Sequence, residues 1–180
     1  MKATGIVRRI DDLGRVVIPK EIRRTMRLRE GEPLEIYTEK AGEIILKKYS
    51  PIADLAEFAQ HYADALFQST ASMCCITDRD TIIAVAGLSK KDYLDKKITD
   101  KLDNAIKLRK TFISSETELP ISIVTEFPAD ENTVQIIAPI VADGDIVGSV
   151  VLFMTDKMLA ASAGKISAQT GATFLGKMLE

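Results

Sequence analysis

The residues best placed to do chemistry are cations near the N-terminus. Lys20, Arg24 and Arg27 recur at i, i+4 and i+7 with Arg23 beside them, which on a helix makes one cationic stripe. Arg8, Arg9 and Arg15 precede the stripe. Guanidinium groups hold phosphates and, as planar forks, reach base edges such as guanine O6 and N7. A lone surface arginine usually does no more than keep a protein soluble. A group of them in a segment whose charge opposes the rest of the chain points to nucleic acid.

That opposition is strong. Residues 1–50 carry 12 Lys/Arg against 8 Asp/Glu, net +4, which leaves 12 against 18, net −6, for residues 51–180. The whole-chain net charge of −2 therefore hides a polyanion-binding head on an acidic body.

The other reactive side chains assemble into nothing comparable. His61 is the single histidine, too few for a metal site and alone in any catalytic triad. Cys74 and Cys75 are adjacent and match neither a redox nor a zinc spacing. On a strand they point to opposite faces, one expected in the core and the other left open. Asp78 and Asp80 begin like a calcium loop, but Ile82 and Ile83 stand where a ligand and the turn glycine belong. Gly144 and Gly148 do not form a phosphate-cradling Gly-x-Gly-x-x-Gly. No cofactor, metal or enzyme chemistry is expected from this set.

The elements that must position the cations follow from pattern. Thr4 to Ile10 and Val16-Val17-Ile18 read as strands flanking an Asp11-Asp12-Leu13-Gly14 turn. Pro19 suits the first position of a short helix, Lys20 to Met26, with Ile22 and Met26 on its packing side. Leu34 to Tyr37 and Ile44 to Leu46 read as a hairpin across Lys40-Ala41-Gly42, giving the order β-β-α-β-β. Fifty residues this poor in apolar side chains, with no disulfide or metal, are expected to need a second copy. A two-fold dimer would present two basic helices to a duplex with its own pseudo-two-fold symmetry.

Ser50-Pro51 marks the end of this domain, residues 1–50. Over 51–70 a helical linker is predicted, with Ile52, Leu55, Ala59, Tyr62 and Leu66 at heptad spacing. Either a stalk between subunits or a helix packed on its own domain fits; the favoured reading has it doing both. Residues 71–180 form the third part. Strands are expected at Met73–Thr77, Thr81–Ala86, Ile121–Phe127, Val134–Val141 and Ile146–Phe153, with a helix over 90–110. Asp143-Gly144-Asp145 makes a turn, and Pro139 implies an edge strand or a bulge. A closing helix over 159–179 carries Gly164, Ala168, Gly171 and Leu175 as a small-residue seam for a close neighbour. The layout is α+β.

Composition agrees with a globular chain, since 46% apolar and 28% charged residues exclude a disordered one. No apolar run approaches a membrane span, and Met1 to Gly5 lacks the start of a secretory leader, so the cytoplasm is expected.

The stretch Asp12-Leu13-Gly14-Arg15-Val16-Val17-Ile18-Pro19-Lys20-Glu21-Ile22-Arg23, with Lys2 to Asp11 before it, strongly resembles the AbrB-type transition-state regulators of spore-forming bacteria. The resemblance implies an intertwined swapped-hairpin dimer in which Arg8, Arg9, Arg15, Arg23 and Arg24 face DNA; Lys20 is added from the helical stripe. Ala138 to Val151 is similar to the end of GAF domains, which implies a sensor domain able to take a small molecule, although no residue set here names one. The two together resemble a family of late-sporulation regulators of the forespore, which implies activation of some genes, repression of others, and assembly as a dimer or a tetramer. Two alternatives share features with this reading: an antitoxin with the same head, and a metabolite sensor that acts through protein contacts without DNA.

Overall fold

The computed structural model describes residues 6–40, 42–114 and 118–180. The chain divides into two compact units, Met1–Tyr49 and Ser50–Glu180.

In the head, α1 spans Lys20–Thr25, and β1 (Leu34–Thr38) pairs antiparallel with β2 (Ile44–Lys48) in the register Ile36↔Leu46. Pro19 is the N-cap and not the first helical residue. Residues 6–19 form no strand: they bend at a tip closed by Gly14 N–H donating to Asp11 O (3.0 Å), with Gly14 at φ +77°. The two expected strands flanking this tip are therefore absent within one copy. Thr4 and Gly5 of the first, and Ala41 of the β1–β2 turn, lie outside the described residues.

The body is built on a five-stranded antiparallel sheet of order β4-β3-β7-β6-β5. Its strands are β3 (Met73–Thr77), β4 (Ile82–Ala86), β5 (Phe112–Ile113), β6 (Val134–Ala142) and β7 (Asp145–Met154). Both faces are covered. On one, α2 (Ala56–Thr70, entered through a 3-10 turn at Pro51–Leu55) and α6 (Lys165–Lys177) pack over Cys74, Ile76, Ile136, Ile140 and Leu152. On the other, α4 (Asp100–Lys107) packs through Leu102, Ala105 and Ile106 over Cys75, Val85, Ile137 and Val151. Alternation along a doubly covered strand thus buries both cysteines, including the one left open from sequence.

The 3-10 turn buries Ile52 and α2 turns Ala59, Ala63 and Leu66 inward, while Leu55 and Tyr62 of the heptad seam are half-buried. Tyr62 meets α6. Here the small-residue seam finds its neighbour: a Cβ on Gly171 would overlap the Tyr62 ring, and one on Gly164 would overlap Met154 and Ile136. α5 (Lys157–Leu159) leads into α6 through a π-helical segment, Ala160–Gly164, so the closing helix is not uniform.

Two expected elements differ. The helix over 90–110 is broken into α3 (Lys90–Tyr93) and α4. Asp95 turns left-handed (φ +62°), residues 95–98 bond along β4, and the Thr99 hydroxyl caps α4 by accepting from Leu102 N (3.2 Å). Residues 121–127 form no strand beyond a single bridge at Val124, and the sheet edge belongs to β5 instead. Buried Gln135 explains the loss, because its side chain takes the place of a partner strand: Oε1 accepts from Ile121 N (2.7 Å) and Nε2 donates to Ile121 O (2.8 Å). Pro139 lies where β6 has β7 on one side and, beyond the two residues facing β5, no strand on the other; a bulge follows at Ile140/Val141. Asp143 and Gly144, both at positive φ, make the two-residue turn between β6 and β7.

Candidate nucleic-acid interface

The head's six candidate cations fall into two groups along the chain. Arg8, Arg9 and Arg15 belong to the tip segment, and Lys20, Arg23 and Arg24 to α1; all six are exposed. Within α1 the spacing from Lys20 to Arg24 and from Lys20 to Arg23 brings three cations onto neighbouring positions. Their stripe does not continue to Arg27, because the helix ends at Thr25 and Arg27 turns left-handed (φ +53°).

At the tip, Arg15 is held by Asp11, whose residue type and position in the sequence signal a turn. The Asp11 carboxylate accepts from Leu13 N (3.1 Å) and Arg15 N (2.8 Å) through Oδ1, and from Arg15 Nε (2.8 Å) through Oδ2. These bonds, with the Arg15 backbone amide first, hold the Asp11 carboxyl below its usual range. The signal available in the sequence was an aspartate four residues before an arginine across a Leu-Gly turn.

The head leaves its apolar side chains uncovered in one copy. Among its described residues only Pro19 is buried, while Val7 is 87% exposed, Val17 71% and Ile36 66%. On the hairpin, Ile36, Ile44 and Leu46 form one exposed apolar face, and Lys47 Nζ lies 4.8 Å from the centre of the Tyr37 ring. A surface of this kind on so small a unit calls for a covering surface.

Among the described residues, the body holds no comparable array of reactive groups. Among the described residues, no cluster of three or more His, Cys, Asp or Glu side chains is arranged to hold a metal ion. His61 is exposed on α2, and Asp78 holds its own hairpin tip by accepting from Asp80 N (2.7 Å) and Thr81 N (2.6 Å). On the α4 side of the sheet lies a cavity of about 220 Å³, lined in part by Tyr93, Ile121, Phe127, Asp130, Thr133 and Phe153. Tyr93 and Phe127, both in its lining, stack on each other with ring centres 5.3 Å apart. No helix of the described residues is long and apolar enough to cross a membrane.

Known proteins match both units. Residues 54–180 match the family described as stage V sporulation protein T C-terminal, transcription factor, and residues 7–54 match the MazE antidote-toxin recognition family of bacterial antitoxins. The transition state regulatory protein AbrB of Bacillus subtilis (strain 168) is 61% identical over 51 residues, which cover 28% of this chain and 52% of that protein. The GAF domain of a phosphoenolpyruvate-protein phosphotransferase from Coxiella burnetii superposes with a TM-score of 0.57 at 13% identity, covering 68% of this chain and 80% of that one. An AbrB-like head joined to a body of GAF-like fold defines a transcription factor with a DNA-binding module. Stage V sporulation protein T of Bacillus subtilis (strain 168) is 51% identical over 180 residues, covering 100% of this chain and 99% of that protein. The chain belongs to the stage V sporulation protein T family.

Proposed function

We propose that the chain regulates late-sporulation genes by binding double-stranded DNA through a head of residues 1–50, as activator at some promoters and repressor at others. Arg8, Arg9, Arg15, Lys20, Arg23 and Arg24 supply the phosphate and base-edge contacts. The observation that carries this reading is their exposure together on a unit whose apolar side chains are also uncovered in one copy. Two copies interlock through those side chains and double the cationic surface. The exposed Ile166 and Phe174 of α6, with Met178 just past its end, favour further pairing of dimers through the body, residues 71–180, with the helical linker 51–70 between.

The body acts by binding and not by catalysis. Its cavity receives a small molecule, which shifts the spacing of the two heads by as much as it discriminates between their arrangements. The protein works in the cytoplasm, on the nucleoid of the forespore. The antitoxin reading draws support from the family match at residues 7–54, and co-purification of a small toxin would favour it.

Titration of genomic fragments with the intact chain and with an Arg8→Ala/Arg23→Ala/Arg24→Ala variant tests the proposal. Nanomolar complexes that the triple variant loses are expected; equal retention of DNA by both proteins would refute it.

A further inference from the structure

We propose that Asp11 is a positioning residue for sequence recognition: it locks the Arg15 guanidinium so that the head discriminates between DNA sequences and does not merely adhere to phosphate. The inference rests on Arg15 facing DNA, as proposed above.

The geometry is a two-stage clamp. One carboxylate oxygen of Asp11 is itself fixed by two backbone amides, Leu13 N at 3.1 Å and Arg15 N at 2.8 Å. Asp11 N donates to Arg15 O (3.1 Å) and Gly14 N to Asp11 O (3.0 Å), so main chain and carboxylate are tied together at the tip. The second oxygen then takes Arg15 Nε at 2.8 Å. Arginine carries considerable rotamer freedom, and this contact removes much of it before any ligand arrives. Because the clamp uses the Nε edge, the two terminal nitrogens remain for a bidentate partner such as guanine O6/N7.

Stability does not account for the pair. The Arg15 side chain is 69% exposed and that of Asp11 34%, and exposed ion pairs contribute little to folding. Nor does affinity: a carboxylate beside a phosphate-seeking cation repels the DNA backbone and weakens binding to every sequence. Oδ1 of Asp11 closes the tip through two backbone amides, and what Oδ2 adds is the orientation of Arg15, gained at a cost in charge.

The test compares two duplexes with the intact chain. One is recovered by iterative selection from a random library with the unmodified protein; the other is a shuffled duplex of the same composition. Affinities for both are read by fluorescence anisotropy at one salt concentration. Asp11→Asn keeps one oxygen for the backbone amides but turns an NH2 toward Nε, donor against donor. Loss of the negative charge strengthens binding to both duplexes alike, so it cancels in their ratio. The ratio is expected to fall about tenfold, the worth of one bidentate contact. In an Arg15→Ala background the same change should leave the ratio untouched. Arg15→Lys, which keeps the charge without the fork, should lower the ratio while holding the shuffled duplex. An Asp11→Asn ratio within about twofold of the unmodified protein, beside a lowered Arg15→Ala ratio, overturns the inference alone. An Arg15→Ala variant that binds both duplexes normally overturns it together with the DNA-facing role of Arg15.

Discussion

The ring of Tyr62 on α2 lies against the bare Cα of Gly171 on α6, and its hydroxyl donates to Ser167 O, 2.9 Å away and one turn earlier on the same helix. The ring also stacks on Phe174 with centres 6.3 Å apart. Glycine at this helical position weakens the isolated helix by about 1 kcal/mol relative to alanine. Close approach of the two helices compensates.

Gly171→Ala should therefore destabilise the body in spite of its better helix propensity. Overpacking costs about 1–3 kcal/mol, and the regained propensity offsets part of it. A urea titration should show a lower midpoint at unchanged slope. A stabilised variant would mean that the ring yields, and that the seam does not fix the helix spacing.

Gln135→Leu removes both bonds to the half-buried Ile121 and leaves its N–H and C=O without these partners. A loss of up to about 2–6 kcal/mol is expected, at about 1–3 kcal/mol for each unsatisfied group. Hydrogen exchange should quicken first at Ile121. Unchanged exchange there would show that the side chain is not what holds the segment.

Burial pushes the Cys74 thiol up from 9.0 to about 12, and Cys75 in the same direction. Their folded values lie above the unfolded one, so the stabilising contribution is complete below about pH 9 and is lost as pH rises from there toward 12. Unfolding free energy measured from pH 8 to 10.5 should fall more steeply for the native chain than for a Cys74→Ala/Cys75→Ala variant. Parallel declines would contradict this.

Ile36→Glu separates a lone head from an interlocked one. On a monomer, a change at a side chain 66% exposed should fall within about 0.5 kcal/mol of neutral. If the hairpin face is covered by a second copy, the variant should sediment as a smaller species and lose DNA at the same time. Native sedimentation by the variant would remove that face from the dimer contact.

Much of this architecture was legible. The β1–β2 and β3–β4 hairpins declared themselves through alternation and turn residues, and the β6–β7 turn through Asp143-Gly144, whereas the strands expected around Asp11–Gly14 do not form. The glycine seam predicted a close neighbour, the helix at 52–67 or its symmetry mate, and Tyr62 of α2 lies against it. What the periodicity concealed was non-local. Leu94, Ile98 and Leu102 have helical spacing, yet residues 95–98 prefer the edge of β4, and the helix restarts at a Thr99 cap. Ile121 to Phe127 has strand composition, but a side chain 14 residues on in the chain takes the backbone bonds a strand would have made. The cations of the head were visible by type and spacing. Asp11 was not, because its role depends on a bond geometry that a turn signature does not specify.

The most direct test of the account is the salt dependence of DNA binding by the intact chain. If two interlocked heads neutralise roughly eight phosphates, log K against log[salt] should fall with a slope of about −7. A slope near zero, or a protein that stays monomeric while bound, would contradict it.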